Sequence, residues 1–276
     1  MDMKHPPAVL SIAGSDASGG AGIQADIKTI TAHRMYGEAV VTAVMAENTQ
    51  GVRSVMEVDS QIIADQIDAC YEDIRPAAVR VGVIHAASAV EVIAERLAHW
   101  NADNVVVDPV IYTTSGHRLI DNDTMLALER KLFPLASVIT PSRIEAQAIL
   151  DYEIDSERTQ QSAAMLLAAR FGCAAVVKGG ELDEESNDVL AEPSPAGPDG
   201  RALSDPLTTW YHHKRIDTAN THGAGATFST AIACGLAEGM TLPDAVNSAK
   251  AYVTGALAAG LDLGKGSGPL NHMWHY

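Results

Sequence analysis

Short, largely apolar runs alternate along this chain with stretches of helical spacing, and that alternation limits the possible folds more than any other feature. Asn104–Asp108 (NVVVD) is the clearest run; Val9–Ala13, Ala39–Val44, Ala78–Val83, Ala136–Thr140 and Ala174–Lys178 follow the same style. A strand with one face in water alternates polar and apolar residues, whereas these runs offer no polar side. They therefore predict strands covered on both faces. Helical spacing appears near Ala21–Ala32, from Asp59 or Ser60 to Tyr71, and over Ala87–Trp100, Asp123–Leu132, Arg143–Leu150 and Thr159–Arg170. Two late helices are expected near Gly225–Glu238 and Pro243–Ala259. Val52–Val58 alternates weakly, and Thr208–His213 returns as a strand. The expected fold class is α/β: a mostly parallel sheet with helices on both sides.

A core of this kind suits the composition, because apolar residues make up 47% of the chain while aromatics reach only 5%. Glu181 to Pro206 turns acidic and rich in Pro and Gly, and reads as a hairpin at Asp188–Glu192 followed by a surface loop. Neither a repeat nor a dividing linker is visible, so residues 1–276 are expected to form one domain.

Nineteen basic residues face 35 acidic ones, a formal charge of −16. Such a surface repels nucleic-acid backbones and anionic lipids, so neither nucleic acid nor membrane is an expected partner. Cys70, Cys173 and Cys234 stand far apart without a CxxC pair, which fits a reducing compartment. The N-terminal segment lacks the apolar centre of a signal peptide, and no long apolar run follows. A cytoplasmic protein is expected.

Four glycine-containing segments are candidates for chemistry. Gly14–Asp26 (GSDASGGAGIQAD) lies between a strand and a helix, and Gly20-x-Gly22-x-x-Ala25 satisfies a dinucleotide fingerprint. Five residues separate the strand end from Gly20, however, where the fingerprint turn is tight. Asn220–Ser229 (NTHGAGATFS) opens an apolar helix. Small residues there expose backbone N–H groups at the positive end of the helix, which makes either an anion hole or a glycine-eased helix start. Lys178-Gly179-Gly180 ends a strand, and its lysine reads either as a phosphate contact or as a solvated side chain. Gly264–Pro269 (GKGSGP) looks like a P-loop, but Pro269 and the chain end leave it no helix. His85, His272 and His275 lack the spacing of metal ligands.

Together these segments resemble the hydroxymethylpyrimidine/phosphomethylpyrimidine kinases, of the ribokinase superfamily, over about Val9 to His272. The matching stretches stand in the family's order: SIAGSDASGGAGIQAD at Ser11–Asp26, ENTQGV at Glu47–Val52, VVVDPV at Val105–Val110 and SGHRL at Ser115–Leu119. ITPSRIEA at Ile139–Ala146, VVKGG at Val176–Gly180, NTHGAG at Asn220–Gly225 and GKGSGP at Gly264–Pro269 complete the series. The resemblance implies a ribokinase-like three-layer sandwich and a kinase dependent on ATP and Mg2+. Its substrate would be 4-amino-5-hydroxymethyl-2-methylpyrimidine and then the monophosphate, in thiamine biosynthesis. Pyridoxal kinases share the architecture, so pyridoxal is the alternative substrate; a catalytically silent pyrimidine or nucleotide binder is a third reading. Relatives are often homodimers, which implies a second copy as partner.

By position, the resemblance places the pyrimidine against Gly14, Ala21, Asp26, Glu47, Val83 and Val110. It puts the nucleotide at Ser142, Lys178 and Thr221, magnesium at Glu145, and the catalytic anion hole at Gly223, Ala224, Gly225 and Ala226. Four positions depart from the family's pattern. Ala226 stands where Cys is usual, Glu47 replaces Gln, Val83 replaces Met and Ser142 replaces Asn. A methyl group accepts no proton, and loss of a general base costs about 10²–10⁴-fold in rate. Glu47, when ionised, accepts hydrogen bonds and donates none, which favours a donor-rich ligand edge.

Overall fold

The computed structural model describes residues 5–112, 118–180, 185–195 and 203–276. The SGHRL segment begins outside these residues, as do positions 181–184 and 196–202 of the acidic Glu181–Pro206 stretch.

The chain runs β1 (Ala8–Asp16), α1 (Gly22–Ala32), β2 (Tyr36–Asn48), β3 (Gly51–Glu57), α2 (Ser60–Asp73), β4 (Ala78–Val81), α3 (Ala87–His99) and β5 (Val105–Val107). It continues with α4 (Asn122–Ala127), β6 (Val138–Ile139), α5 (Arg143–Leu150), α6 (Glu157–Phe171), β7 (Ala174–Val177), β8 (Asp188–Glu192), β9 (Leu207–Tyr211), α7 (Ala224–Ala237) and α8 (Leu242–Ala258). Among the described residues, nine strands join one sheet in the order β3-β2-β1-β4-β5-β6-β7-β8-β9. From β2 to β7 the pairing is parallel, while β3, β8 and β9 are antiparallel.

The sheet separates two apolar layers, as the unbroken apolar strands require. Val105 and Val107 of β5 face one layer with Ile63 of α2, Ile93 of α3 and Leu167 of α6. Val106 faces the other with Ile30 of α1, Phe228 and Ile232 of α7 and Val246 of α8. Helix starts are set by local chemistry. Asp59 accepts from the Gln61 amide, Asp121 from Thr124, and Thr241 from Asp244 ahead of a helix carrying Pro243 in its first turn.

Three expectations are corrected. β1 runs three residues past Ala13, because Gly14, Ser15 and Asp16 pair with Ala43, Val44 and Met45 beyond a register shift. The helix expected to Leu132 ends at Ala127 and continues as a π turn over Leu128–Leu132 and a 3-10 turn over Phe133–Leu135. Pro134, with no N–H to give, suits this change of winding. Asp188–Glu192 is a single strand lying between β7 and β9, rather than a hairpin.

From β1 the chain passes to one side for β2 and returns to the other for β4. Such a switch opens a crevice at the carboxyl ends of the strands, which is where parallel sheets bind ligands.

Candidate active site

The first glycine-rich segment folds around a buried carboxylate. Asp16, at the end of β1, accepts at Oδ1 from the Ser18 amide (2.7 Å). Its Oδ2 accepts from Ser18 Oγ (2.9 Å), the amides of Gly20 (3.1 Å) and Ala21 (2.8 Å), and His222 Nε2 (2.9 Å). The amides that a dinucleotide phosphate would need are thus taken by the protein's own carboxylate, so the Gly20-x-Gly22-x-x-Ala25 match is not a cofactor fingerprint here. Burial alone would raise the Asp16 carboxyl, but the bonds from His222, Ser18 and Ala21 outweigh it and hold the group well below the usual range. Gly22 has φ 54°, and a Cβ there would lie 2.2 Å from the Gly14 carbonyl oxygen. Only glycine lets α1 approach β1 this closely.

The second segment meets the first directly. Gly223 caps α7 with φ 85°, and an added Cβ would sit 1.9 Å from the Gly20 carbonyl oxygen. The His222 ring covers Gly20. Behind them runs the Gly264–Pro269 stretch: the His222 amide donates to the Gly268 carbonyl (3.0 Å), and Thr221 Oγ1 lies 3.0 Å from Ser267 Oγ. At the head of α7 the Ala224 amide donates to the Thr221 carbonyl and the Thr227 amide to Gly223. Among the described residues nothing accepts from the amides of Gly225 and Ala226. Two free N–H groups at a helix start form an anion hole.

Lys178 approaches the same helix head from β7. Its Nζ donates to Asp108 Oδ1 (3.0 Å) and would lie 3.4 Å from a Cβ on Gly225. Asp108 also accepts from Arg80 Nη2 (2.8 Å), and this pairing with Lys178 and Arg80 overcomes burial and lowers its carboxyl. Glu145 lies beside them on α5. Its Oε1 accepts from the Ile111 amide (3.1 Å), and Oε2 from the Ser142 amide and hydroxyl (both 2.7 Å). Burial pushes Glu145 up, opposed by Lys178 and reinforced by Asp108. The Glu145 amide in turn donates to Ser142 Oγ (3.3 Å), closing a capping box at the start of α5.

The expected site residues therefore fall into two groups joined by the head of α7. Gly14, Ala21, Glu47 and Val83 lie on one side. A Cβ on Gly14 would meet Met45 Cε and Val83 Cγ1, each at 3.2 Å, so these three build an apolar floor. Glu47 stands beside Asp16 and His222, the ligating atoms of all three lying within 4.8 Å of one another. Ser142, Glu145 and Lys178 lie on the other side, Gly223 touches the first group and Gly225 the second. Val110 follows β5 on the turn toward Ile111, its amide donating to the Asp108 carbonyl (2.9 Å).

Asp26 does not fit its expected place as a pyrimidine contact. It is wholly buried beneath the loop, accepting from Ser11 Oγ, Arg80 Nη1 (3.0 Å) and Thr230 Oγ1 (2.8 Å). Arg80, 1% exposed, joins it to Asp108 and also donates to Ser229 Oγ (3.0 Å). Arg80, Asp108, Asp16 and His222 are not among the expected site residues, yet the structure places all four at the site. A lone charge inside the apolar strand Ala78–Val81 was the available signal for Arg80.

The Asp16–Glu47–His222 trio has the composition of a metal site, but Asp16 Oδ2 already accepts four hydrogen bonds and His222 Nε2 faces it as donor. It reads as a charge cluster. The His222 imidazole is raised by its bond to Asp16, against burial and with the charges of Asp16 and Glu47 helping.

Comparison with known proteins points to one kinase family. A family model described as phosphomethylpyrimidine kinase matches residues 16–271. The hydroxymethylpyrimidine/phosphomethylpyrimidine kinase of Streptomyces coelicolor is 39% identical over 269 residues, covering 98% of this chain and 95% of that protein. The crystal structure of phosphomethylpyrimidine kinase from Clostridium difficile superposes with a TM-score of 0.76 at 36% identity, covering 90% of this chain and 98% of that one. Pyridoxal kinase from Bacillus subtilis, solved as an ADP complex, gives a TM-score of 0.84 at 31% identity, with 97% of each chain covered.

Proposed function

Because the chain belongs to the phosphomethylpyrimidine kinase family, we propose that it transfers the γ-phosphate of ATP to the hydroxymethyl group of 4-amino-5-hydroxymethyl-2-methylpyrimidine and then to the monophosphate. The observation that carries this reading is the head of α7, whose free Gly225 and Ala226 amides lie between Lys178 and the first glycine loop.

Phosphoryl transfer spreads negative charge over the oxygens of the moving group, so catalysis consists mainly of positioning and electrostatic stabilisation. The α7 amides hold those oxygens with no reorganisation, and Lys178 adds a positive charge that Asp108 aims. The Gly14–Met45–Val83 floor takes the flat face of the ring, and Glu47 accepts from its amino edge. Magnesium, bound with the nucleotide, neutralises phosphate charge. Both Glu145 oxygens already accept from protein donors. This favours holding the ion through water, in keeping with the waters Mg2+ usually retains.

Residues 1–276 work as one unit in this reading, since a single sheet supplies both halves of the site. Among the described residues no helix is long and apolar enough to cross a membrane, and a cytoplasmic location belongs to the same proposal. So does a homodimer, by analogy.

The test is ADP release by the purified chain with Mg-ATP and each candidate acceptor. Turnover on hydroxymethylpyrimidine and its phosphate is expected. Release dependent on pyridoxal alone transfers the assignment to pyridoxal kinase, the reading favoured by the fit to the Bacillus subtilis enzyme. Binding without turnover on any acceptor removes the kinase assignment.

A further inference from the structure

An acceptor hydroxyl must lose its proton as it takes the phosphoryl group, and Ala226, whose amide is one of the two free ones at the head of α7, carries only a methyl, which accepts no proton. The carboxylates around the site are nearly all engaged. Asp16 accepts from three amides, a hydroxyl and His222. Asp108 is held by Lys178 and Arg80, Glu145 by Ile111 and Ser142, and Asp26 lies sealed beneath the loop. His222 Nε2 is spent on Asp16.

Glu47 differs from all of these. It is half-buried near the end of β2, and among the described residues no donor bonds its carboxylate. The register shift between Ala46 and Glu47 sets it opposite Val52 of β3, which offers it nothing polar in the side chain. Its carboxylate nevertheless stands within 4.8 Å of the ligating atoms of Asp16 and His222, and the next residue after His222 is the cap of α7.

We propose that the Glu47 carboxylate accepts the proton of the acceptor hydroxyl, supplying the base that residue 226 lacks; this rests on the kinase reading above. The hydroxyl oxygen forms its bond to the γ-phosphorus of ATP as the bond from that phosphorus to the β–γ bridging oxygen breaks. The bridging electron pair leaves with ADP. The hydroxyl proton passes to Glu47, which becomes a neutral carboxylic acid and then releases it to solvent.

The electrostatics suit this work. Burial and the Asp16 charge push the Glu47 carboxyl up, opposed by His222, and a more basic carboxylate is a better proton acceptor at neutral pH. Asp16, from the end of β1, and His222, from the loop before α7, are the charged groups acting on it.

The experiment compares the unsubstituted chain with Glu47→Gln, Glu47→Ala and the double variant Glu47→Gln/Ala226→Cys, reading kcat, KM for the pyrimidine and the pH–rate profile. Glu47→Gln is expected to lower kcat by about 10²–10⁴-fold with little change in KM, and to abolish the acidic limb of the profile. Formate added to Glu47→Ala restores part of the rate, and the thiol that Ala226→Cys introduces into the double variant restores part of kcat. A Glu47→Gln variant that keeps kcat while KM rises, or keeps the acidic limb, overturns the proposal and leaves Glu47 as a binding group only. No turnover by the unsubstituted chain overturns the kinase reading, and this proposal with it.

Discussion

Asp16 and His222 stand 206 positions apart in the chain, yet their 2.9 Å contact closes the first glycine loop against the second. The pair gives stability a pH dependence of predictable sign. A histidine raised on folding contributes stability that is complete below its unfolded value, about 6.5, and is lost as pH rises through the folded value. Asp16 is depressed, so its contribution is present above its unfolded value and is lost as pH falls toward the folded one. In urea unfolding, His222→Gln is therefore expected to cost more at about pH 6 than at about pH 9. An equal cost at both values would show that the imidazole acts through packing and not through charge.

At the scale of elements, α5 shows how one short polar side chain sets both a helix start and the hold on a carboxylate. Ser142 is the N-cap, and Ser and Asn are about equally good caps because each presents a short side-chain acceptor to the first turn. Ser142→Asn is expected to leave thermal stability within a few tenths of a kcal/mol, whereas Ser142→Ala costs about 1 kcal/mol. The alanine variant also deprives Glu145 of its hydroxyl donor, so activity falls further than stability alone explains; calorimetry beside the ADP assay separates the two. The lengths of β1 and β2 were less legible than α5. Their final residues are held in the sheet by pairing with a neighbouring strand and not by local pattern, and Asp16 and Glu47 sit on those extensions.

For the whole molecule, Arg80 ties the two glycine loops to the sheet. Its guanidinium reaches Asp26 of α1, Asp108 beyond β5 and Ser229 of α7, and Gly82 must lack a side chain because a Cβ would lie 2.0 Å from Arg80 Nη1. Removing one partner of a buried ion pair leaves the other charge uncompensated, so Arg80→Met is expected to cost about 3–5 kcal/mol in denaturant unfolding. Arg80→Lys recovers only part of this, since a single ammonium cannot span both carboxylates as the planar fork does. A cost below about 1 kcal/mol would mean that Asp26 and Asp108 find other donors.

The sequence by itself determined the alternation of strands and helices, the coverage of the sheet on both faces, and the glycine-opened head of α7. Each of these follows from local spacing: apolar runs demand burial, and small residues free backbone amides. Tertiary structure alone decided that Asp26 points into a buried ion network, that the amides of the first loop belong to Asp16, and that Glu47 is left without a donor among the described residues. Those outcomes depend on which carboxylate meets which donor across the sheet, and contacts between residues tens to hundreds of positions apart leave no periodic trace in the chain.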